Sequence, residues 1–219
     1  MKTKLISIAF TLLLFATFAN AQISVGILGG VNLQNLNGKT HGGDMLDNTM
    51  IPGFHAGLNV QIPVAPEFYF QPGLLFSTKG AKNTGTLLTT TTNLSYVELP
   101  LNFVYKGQLG NGFVLLGVGP YVAYAIKGKV TTEGGSVALE SAVKFQNVVE
   151  ITESLLVPYY KALDAGGNIF FGYEMASGIF AQVNAQLGML NINPEYKIMT
   201  DDKAAVKNTG FGLSLGYRF

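Results

Sequence analysis

The sequence predicts an all-β protein: an eight-stranded antiparallel up-and-down transmembrane β-barrel, preceded by a cleavable signal peptide. Eight segments alternate apolar with small or polar residues over the ~9–11 residues a tilted spanning strand needs. The connections between them alternate short and long. Residues 209–219 alternate most cleanly, with Thr209, Phe211, Leu213, Leu215, Tyr217 and Phe219 set against Gly210, Gly212, Ser214, Gly216 and Arg218. A period of two means a strand whose two faces differ chemically.

At the N-terminus, Lys2 and Lys4 precede an apolar run over 5–19 and the small-residue pattern Ala19-Asn20-Ala21. This reads as a secretory signal peptide cleaved after Ala21, because the run is shorter than the ~20 residues a spanning helix requires. The expected division is a signal peptide, 1–21, and a barrel domain, 22–219. The chain is 48% hydrophobic and only 12% charged, yet beyond residue 21 it has no run able to span as a helix. In lipid that leaves a closed sheet, which alone satisfies its own backbone groups. Formal charge is +1, falling to −1 once Lys2 and Lys4 are removed, which argues against nucleic acid as a partner. There are no cysteines, so disulfides and cysteine-based metal or redox sites are excluded.

The first strand places Ile23, Val25, Ile27, Val31 and Leu33 on one face against Ser24, Gly26, Gly30, Asn32 and Gln34. The second sets Phe54, Ala56, Leu58, Val60 and Ile62 against His55, Gly57, Asn59 and Gln61. The third opposes Phe68, Phe70, Leu74 and Phe76 to Tyr69, Gln71, Gly73 and Ser77. The fourth opposes Val97, Leu99, Leu101, Phe103 and Tyr105 to Glu98, Pro100, Asn102 and Lys106. The fifth, 113–126, is apolar on both faces. The sixth alternates Ala165, Ile169, Phe171 and Tyr173 with Asp164, Asn168, Gly172 and Glu174, and the seventh Ile179, Ala181, Val183, Ala185, Leu187 and Met189 with Gln182, Asn184, Gln186 and Gly188. The eighth is 209–219. Pro72, Pro100 and Pro120 fall inside these strands and are expected at bulges or register shifts, since proline removes a ladder donor.

Connections after strands two, four and six are short, at 64–67, 107–112 and 175–178. Those after one, three, five and seven are long and polar, at 35–51, 81–93, 127–163 and 191–208. Short periplasmic turns and long extracellular loops characterise outer-membrane barrels. On the apolar face Phe68, Tyr105, Phe113, Tyr173, Tyr217 and Phe219 gather at the predicted periplasmic ends, while Phe54, Phe76 and Phe211 lie toward the other rim. Two aromatic girdles are expected where a barrel crosses the two membrane interfaces. The predicted location is the bacterial outer membrane, reached through the general secretory pathway.

Several stretches carry a family likeness: Gly53-Phe54-His55-Ala56-Gly57, Phe70-Gln71-Pro72-Gly73-Leu74-Leu75, Tyr96-Val97-Glu98-Leu99-Pro100-Leu101, Gly117-Val118-Gly119-Pro120-Tyr121, the run from Asp164 to Glu174, and the run from Gly210 to Phe219. In this order they resemble the small outer-membrane β-barrels of Bacteroidetes often called PorT-like. The resemblance covers nearly the whole chain after residue 21 and implies an eight-stranded barrel from a family with one branch tied to secretion and gliding. The loop 127–163 is longer than the compact loops of that family. In similar proteins the closing strand is the signal read by the barrel-insertion machinery; here that implies Phe211, Leu213, Leu215, Tyr217 and Phe219.

Inward-facing ionisable residues by parity are His55, Glu98, Lys106, Asp164, Glu174 and Arg218. An eight-stranded barrel is filled by its own side chains, so these must pair or hydrogen-bond rather than line a channel. Glu98, Glu174 and Arg218 are read as a structural interior polar cluster. No catalytic, cofactor or metal residue is predicted: the two histidines are His41, in a Gly-rich loop, and His55, with Asp44, Asp47, Ser77 and Ser95 as its candidate neighbours. The loop carboxylates Asp44, Asp47, Asp201 and Asp202 match no calcium-loop spacing. The run 148–160, rich in Val, Ile, Leu and Tyr with only Glu150 and Glu153, is expected to extend strands five and six or to dock a protein partner.

The functional expectation is a structural or interaction protein of the outer membrane, with a role in surface assembly or secretion. Its expected partners are outer-membrane lipid, the insertion machinery and a protein bound through 127–163; no nucleic acid and no cofactor are expected. Two alternatives stand beside it. One is a soluble periplasmic lipocalin-like barrel with the apolar face turned inward around a ligand; the other is a lipid-modifying outer-membrane enzyme.

Overall fold

Eight long strands carry the alternation into a closed ring. The computed structural model describes residues 23–135, 137–199 and 202–219; the predicted signal peptide and Asp201 lie outside them. The strands are β1 (Ser24–Lys39), β2 (Ile51–Ala65), β3 (Phe68–Thr84), β4 (Thr89–Leu109), β5 (Gly112–Gly134), β6 (Leu163–Met175), β7 (Ile179–Gly188) and β8 (Ala205–Arg218). Each pairs antiparallel with its neighbours in the chain, and β8 returns to β1. That closing ladder runs unbroken from Gly26 opposite Arg218 to Lys39 opposite Ala205. Among the described residues no helix is long and apolar enough to cross a membrane.

The apolar face is the outer one. Val31, Phe171, Leu213 and Leu215 are at least half exposed on the wall, whereas Gln61, Lys79, Glu98 and Asp164 are buried in the lumen. A lipocalin-like barrel needs the reverse arrangement, so that alternative is overturned. On the outside, Phe68 meets Tyr105 at a tilt, 5.4 Å between centroids, and Tyr217 packs edge-on to Phe219 at 4.9 Å. These pairs lie at the rim of the short turns. Phe54 and Phe76 meet at 5.6 Å farther along the wall.

The turns at the first rim are tight: Glu67 takes φ 64° in the β2–β3 turn and Gly110 φ 59° in the β4–β5 turn. The opposite rim departs from expectation in length. β3, β4 and β5 run well past the predicted ends, so 81–93 is a hairpin extension and not a loop, closed where the Gly85 amide donates to the Leu88 carbonyl (2.9 Å). β5 rises to Gly134 and the strand Val137–Ala142 folds back on it, while β6 begins only at Leu163. Only the fifth strand of the expected pair is therefore extended.

Two further expectations are corrected. The three prolines cause no register shift: Pro72 faces Leu101, Pro100 faces Tyr121 and Pro120 faces Gly167 in ladders of constant register. The irregularities fall instead at Pro63/Ala65 and Ser95/Tyr96. The prolines sit side by side on β3, β4 and β5, where the β3–β4 and β4–β5 ladders lose rungs locally and resume in the same register. Phe113 is not part of the outer girdle. It shares the parity of buried Leu115 and lies under the Lys106 ammonium, 4.8 Å from the ring centroid. The fifth strand looked two-faced because its lumenal side carries Leu115, Tyr121, Ala123 and Ala125, all buried.

Leu213 lies opposite Val31 and Val183 on the lipid face. Leu213→Arg is expected to lower folding stability in bilayers by about 2–4 kcal/mol, read from urea unfolding in lipid vesicles. The same substitution at Leu87, exposed in the β3–β4 turn, should leave it unchanged.

Candidate functional site

The lumen holds its charges in two clusters at different heights. At the short-turn rim, Arg218 on β8 donates from Nε to Glu174 Oε2 on β6 (2.9 Å), and Lys106 on β4 donates to Glu174 Oε1 (2.6 Å). Arg218 also donates to Asn59 Oδ1 (2.9 Å), and its guanidinium lies 5.2 Å from the Phe180 ring centroid. The Phe180 ring fits because β8 offers Gly216 beneath it, where a Cβ would come within 2.2 Å of the ring. Two cations thus share one carboxylate.

Farther along the barrel the balance is reversed. Lys79 on β3, fully buried, lies 3.0 Å from Glu98 on β4 and 3.3 Å from Asp164 on β6. The Tyr121 hydroxyl and the Asn208 amide donate to Asp164 Oδ2 at 3.1 and 2.9 Å, and the Gln186 amide donates to Glu98 Oε1 at 2.6 Å. The ammonium also sits 4.3 Å from the Tyr121 ring centroid, a cation–π arrangement in a dry setting. The sequence-derived cluster Glu98, Glu174 and Arg218 is therefore split: Arg218 meets Glu174, while Glu98 belongs with Lys79 and Asp164. Sequence reasoning missed Lys79, although Ser77 plus two places it on the lumenal side of β3.

Between these clusters His55 lies against β1, its Nε2 2.7 Å from Ser214 Oγ and its Nδ1 3.5 Å from Asn32 Oδ1. The expected neighbours Asp44, Asp47 and Ser95 are not its hydrogen-bond partners; Ser77 is its cross-strand neighbour. A Ser–His–Asn set has the residue types of a nucleophile, base and orienting group. It is walled in, however, with Ser214, His55 and Asn32 all buried.

Above Lys79 the mouth is plugged. Leu36, Leu94, Tyr96, Tyr121, Ile192 and Val206 form a buried apolar cluster, with Val143, Phe145 and Tyr160 from the loop 135–162 packed onto it. Loops are laced across the plug: the strand Tyr159–Tyr160 pairs with Lys144–Phe145, and Glu195–Tyr196 pairs with Val148–Val149. Outside the plug His41 meets Asp202 at 2.8 Å and packs edge-on to Tyr196. The run 148–160 thus has two sides: Val149 and Tyr159 are buried and Tyr160 packs on the plug, while Ile151, Leu155 and Leu156 face outward, Leu156 being 92% exposed. Burial pushes the Tyr160 hydroxyl above its ordinary value. Hydrogen bonds from Lys144, and then from Gln146, hold the Glu153 carboxyl below the usual carboxylate range.

A closed antiparallel sheet with an apolar outer wall and a charge-paired lumen defines a small β-barrel of the outer-membrane type. The chain matches the family described as outer membrane protein beta-barrel domain over residues 18–194, and it belongs to that family. Among solved structures it is similar to Ail, the attachment invasion locus protein of Yersinia pestis, at 12% identity, 90% of this chain, 98% of that one and a TM-score of 0.38. It is also similar to Neisserial surface protein A, at 10% identity, 90% of this chain, 95% of that one and a TM-score of 0.42. No curated protein matches it in sequence.

Lys79→Met would leave Glu98 and Asp164 buried against each other and is expected to cost about 3–5 kcal/mol of stability. Urea unfolding in micelles reads this, and adding Asp164→Asn should recover part of the loss. A second expectation concerns pH. Glu153 has a lowered folded-state value, so its pairing stabilises the loop above the ordinary glutamate value of 4.5 and is lost as pH falls below it. Amide exchange over 144–160, corrected for intrinsic rates, should therefore quicken relative to the barrel at about pH 3.5 against about pH 6. Glu153→Gln should abolish the difference.

Proposed function

We propose that the chain is a non-conducting structural or interaction barrel, acting in surface assembly or secretion by presenting its plugged, apolar-tipped loop cap to a protein partner. One observation carries this reading: the lumen is filled and capped, while Ile151, Leu155 and Leu156 are displayed on the loop that helps to form the plug. Large apolar side chains held on an ordered, solvent-facing surface mark contact sites. The likeness to the PorT-like barrels of Bacteroidetes, carried by the segments around Gly53, Phe70, Tyr96 and Gly117, agrees with such a role.

The reading includes no catalytic step. Support comes from the burial of His55 and Ser214 between the plug and the Arg218–Glu174 pair, which leaves a lipid or peptide no route to the pair. The proposed life history is export with the leader cleaved after Ala21, followed by insertion through the strand bearing Phe211, Leu213, Leu215, Tyr217 and Phe219. These five point outward from β8 and the residue that follows it, so they are available to another strand or to lipid before closure.

A photo-crosslinking residue at Leu156 in intact cells is expected to capture a discrete envelope protein, and one at Leu213, on the lipid face, should not. Ile151→Asp with Leu155→Asp should abolish the capture from Leu156, and deleting 134–158 should abolish the surface phenotype while the barrel still shows heat-modifiable migration. An intact phenotype in that deletion, or unaltered capture, would count against the reading. His55→Ala should leave lipid A composition unchanged.

A further inference from the structure

The two sides of β8 are finished differently. Its lumenal side is nearly bare, with Gly210, Gly212 and Gly216, while Thr209, Phe211, Leu213 and Leu215 face outward. Outside, the wall that runs from β5 through β8 to β1 is hollowed. At one height Ala185 of β7 lies between Ile169 of β6 and Phe211 of β8, and at the next Gly167 of β6 lies between Pro120 of β5 and Leu187 of β7. A Cβ at Gly167 would touch only the Met189 methyl, 3.8 Å away. These small residues leave two hollows, of about 650 and 580 Å³, which share Ile169, Ala185 and Phe211 and so run into each other along the barrel. On β2, β3 and β4 the wall is filled instead, for Phe54 meets Phe76 and Phe70 meets Phe103 at 5.6 and 5.5 Å between centroids.

The upper hollow ends beneath a pair of cations. Thr209 lines it, and Lys207 stands two residues farther up the same side of β8. In the closing ladder Lys207 faces Asn37 and Lys39 faces Ala205, so the two lysines are diagonal neighbours, ~7–8 Å apart at the backbone. Both are exposed, and among the described residues no carboxylate lies within 4 Å of either. Like charges so placed repel, and an anion between them relieves the repulsion. Lys207 is ten residues above Tyr217, which lies at the short-turn rim. At ~3.3 Å per residue and ~40° of tilt that rise is roughly 25 Å, the height of the apolar band on such barrels. The two ammonium groups therefore lie at the headgroup level of the loop-side leaflet, above the upper hollow.

We propose that this wall holds one anionic, phosphate-bearing lipid of the loop-side leaflet, its phosphate between Lys39 and Lys207 and an acyl chain lying down the hollows past Ala185. The surroundings determine the class of occupant: a concavity that opens on hydrocarbon has no water to fill it, so acyl chain does. The lysines select the head, because a cationic side chain at the membrane surface favours anionic over zwitterionic lipid. Ile169 and Phe211 flank the chain at the level of Ala185, and Phe171 and Leu213 flank it below. The site uses no residue of the run 148–160, so it stands apart from the protein contact proposed above.

The chain has no tryptophan, so a single one introduced into the barrel reports on the lipid beside it. Leu187→Trp places it at the upper hollow, and Leu215→Trp places it on the same wall near the short turns. Each is refolded into mixed vesicles of phosphatidylcholine and phosphatidylglycerol with bromine on the chains of one lipid or the other, and fluorescence quenching reads the local preference. At Leu187→Trp phosphatidylglycerol is expected to be favoured by at least about fivefold, and at Leu215→Trp neither lipid. Lys39→Gln with Lys207→Gln should abolish the preference. So should Ala185→Phe, which fills the hollow with both lysines in place; Gly167→Leu serves as a second filling variant should the first not refold. The absence of any preference at Leu187→Trp overturns the proposal, as does one that outlasts the loss of both lysines. A preference that survives filling the hollow is attraction to a charged rim without a site, and overturns it too.

Discussion

Pairing of β8 with β1 is the constraint on which the rest of the molecule depends. In hydrocarbon an unpaired strand edge leaves a row of backbone groups without water or partner, so a spanning sheet must close. The fourteen-residue ladder from Gly26–Arg218 to Lys39–Ala205 does this with no shift in register. Closure also assigns the faces. Once the ring exists, the continuous apolar side can only be outside, and every polar residue of opposite parity is committed to a narrow lumen with little solvent. Arg218 lies at the first rung of the closing ladder and reaches Glu174 on β6, so the seam and the ionic filling are set together.

A lumen of this kind has to account for each charge it contains. Lys79, Lys106 and Arg218 are matched by Glu98, Asp164 and Glu174, but they are distributed two to one at the turn rim and one to two nearer the loops. Neutrality overall coexists with local imbalance at each end. At the turn rim, Glu174 spreads over two cations and neutral amides of Asn59 and Gln71 complete the shell. Toward the loops the surplus is negative, and tyrosine and asparagine donors are recruited to Asp164. Above that point charge stops: the plug of Leu94, Tyr96, Tyr121 and Ile192 covers the cluster, and the long loops are held in place because they complete it.

What the sequence made legible was whatever the bilayer enforces. Strand number, face parity and the short turns follow from an alternation that lipid on one side and a polar lumen on the other keep strict. Beyond the membrane that pressure ends. Thr89 to Thr92 are acceptable on either face, so the upper halves of β3, β4 and β5 resembled loop although the ladders continue through them. Phe113 was misplaced because a strand with apolar residues on both faces gives parity no signal. The His55–Ser214 contact was hidden for a topological reason: β2 and β8 are not neighbours, and the two side chains meet across β1, over Gly30, whose missing Cβ leaves room for the imidazole. The run 148–160 was readable as apolar but not as split, since composition cannot say which residues of a loop turn toward a plug.

The glycine-lined wall explains how one small ring accommodates so much polar bulk. An eight-stranded barrel is just wide enough to be filled by side chains, and Phe180, Tyr121, Lys79, Arg218, Gln61 and Gln71 all enter it. Were every strand to contribute at that scale, the lumen would be overpacked, and overpacking costs roughly 1–3 kcal/mol per misfit in forced rotamers and backbone shifts. One wall has to be left bare. Glycine in a strand carries a penalty of roughly 0.5–1 kcal/mol relative to alanine, so such a wall is worth having only where incoming side chains cover it. On β8 they do: Phe180 lies on Gly216, Asn184 on Gly212 and Gln34 on Gly210. The strand that closes the ring is thus also the strand that yields its interior volume. A larger residue at Gly216 would meet both Phe180 and the Ile27 carbonyl of β1, and one at Gly212 or Gly210 would displace Asn184 or Gln34.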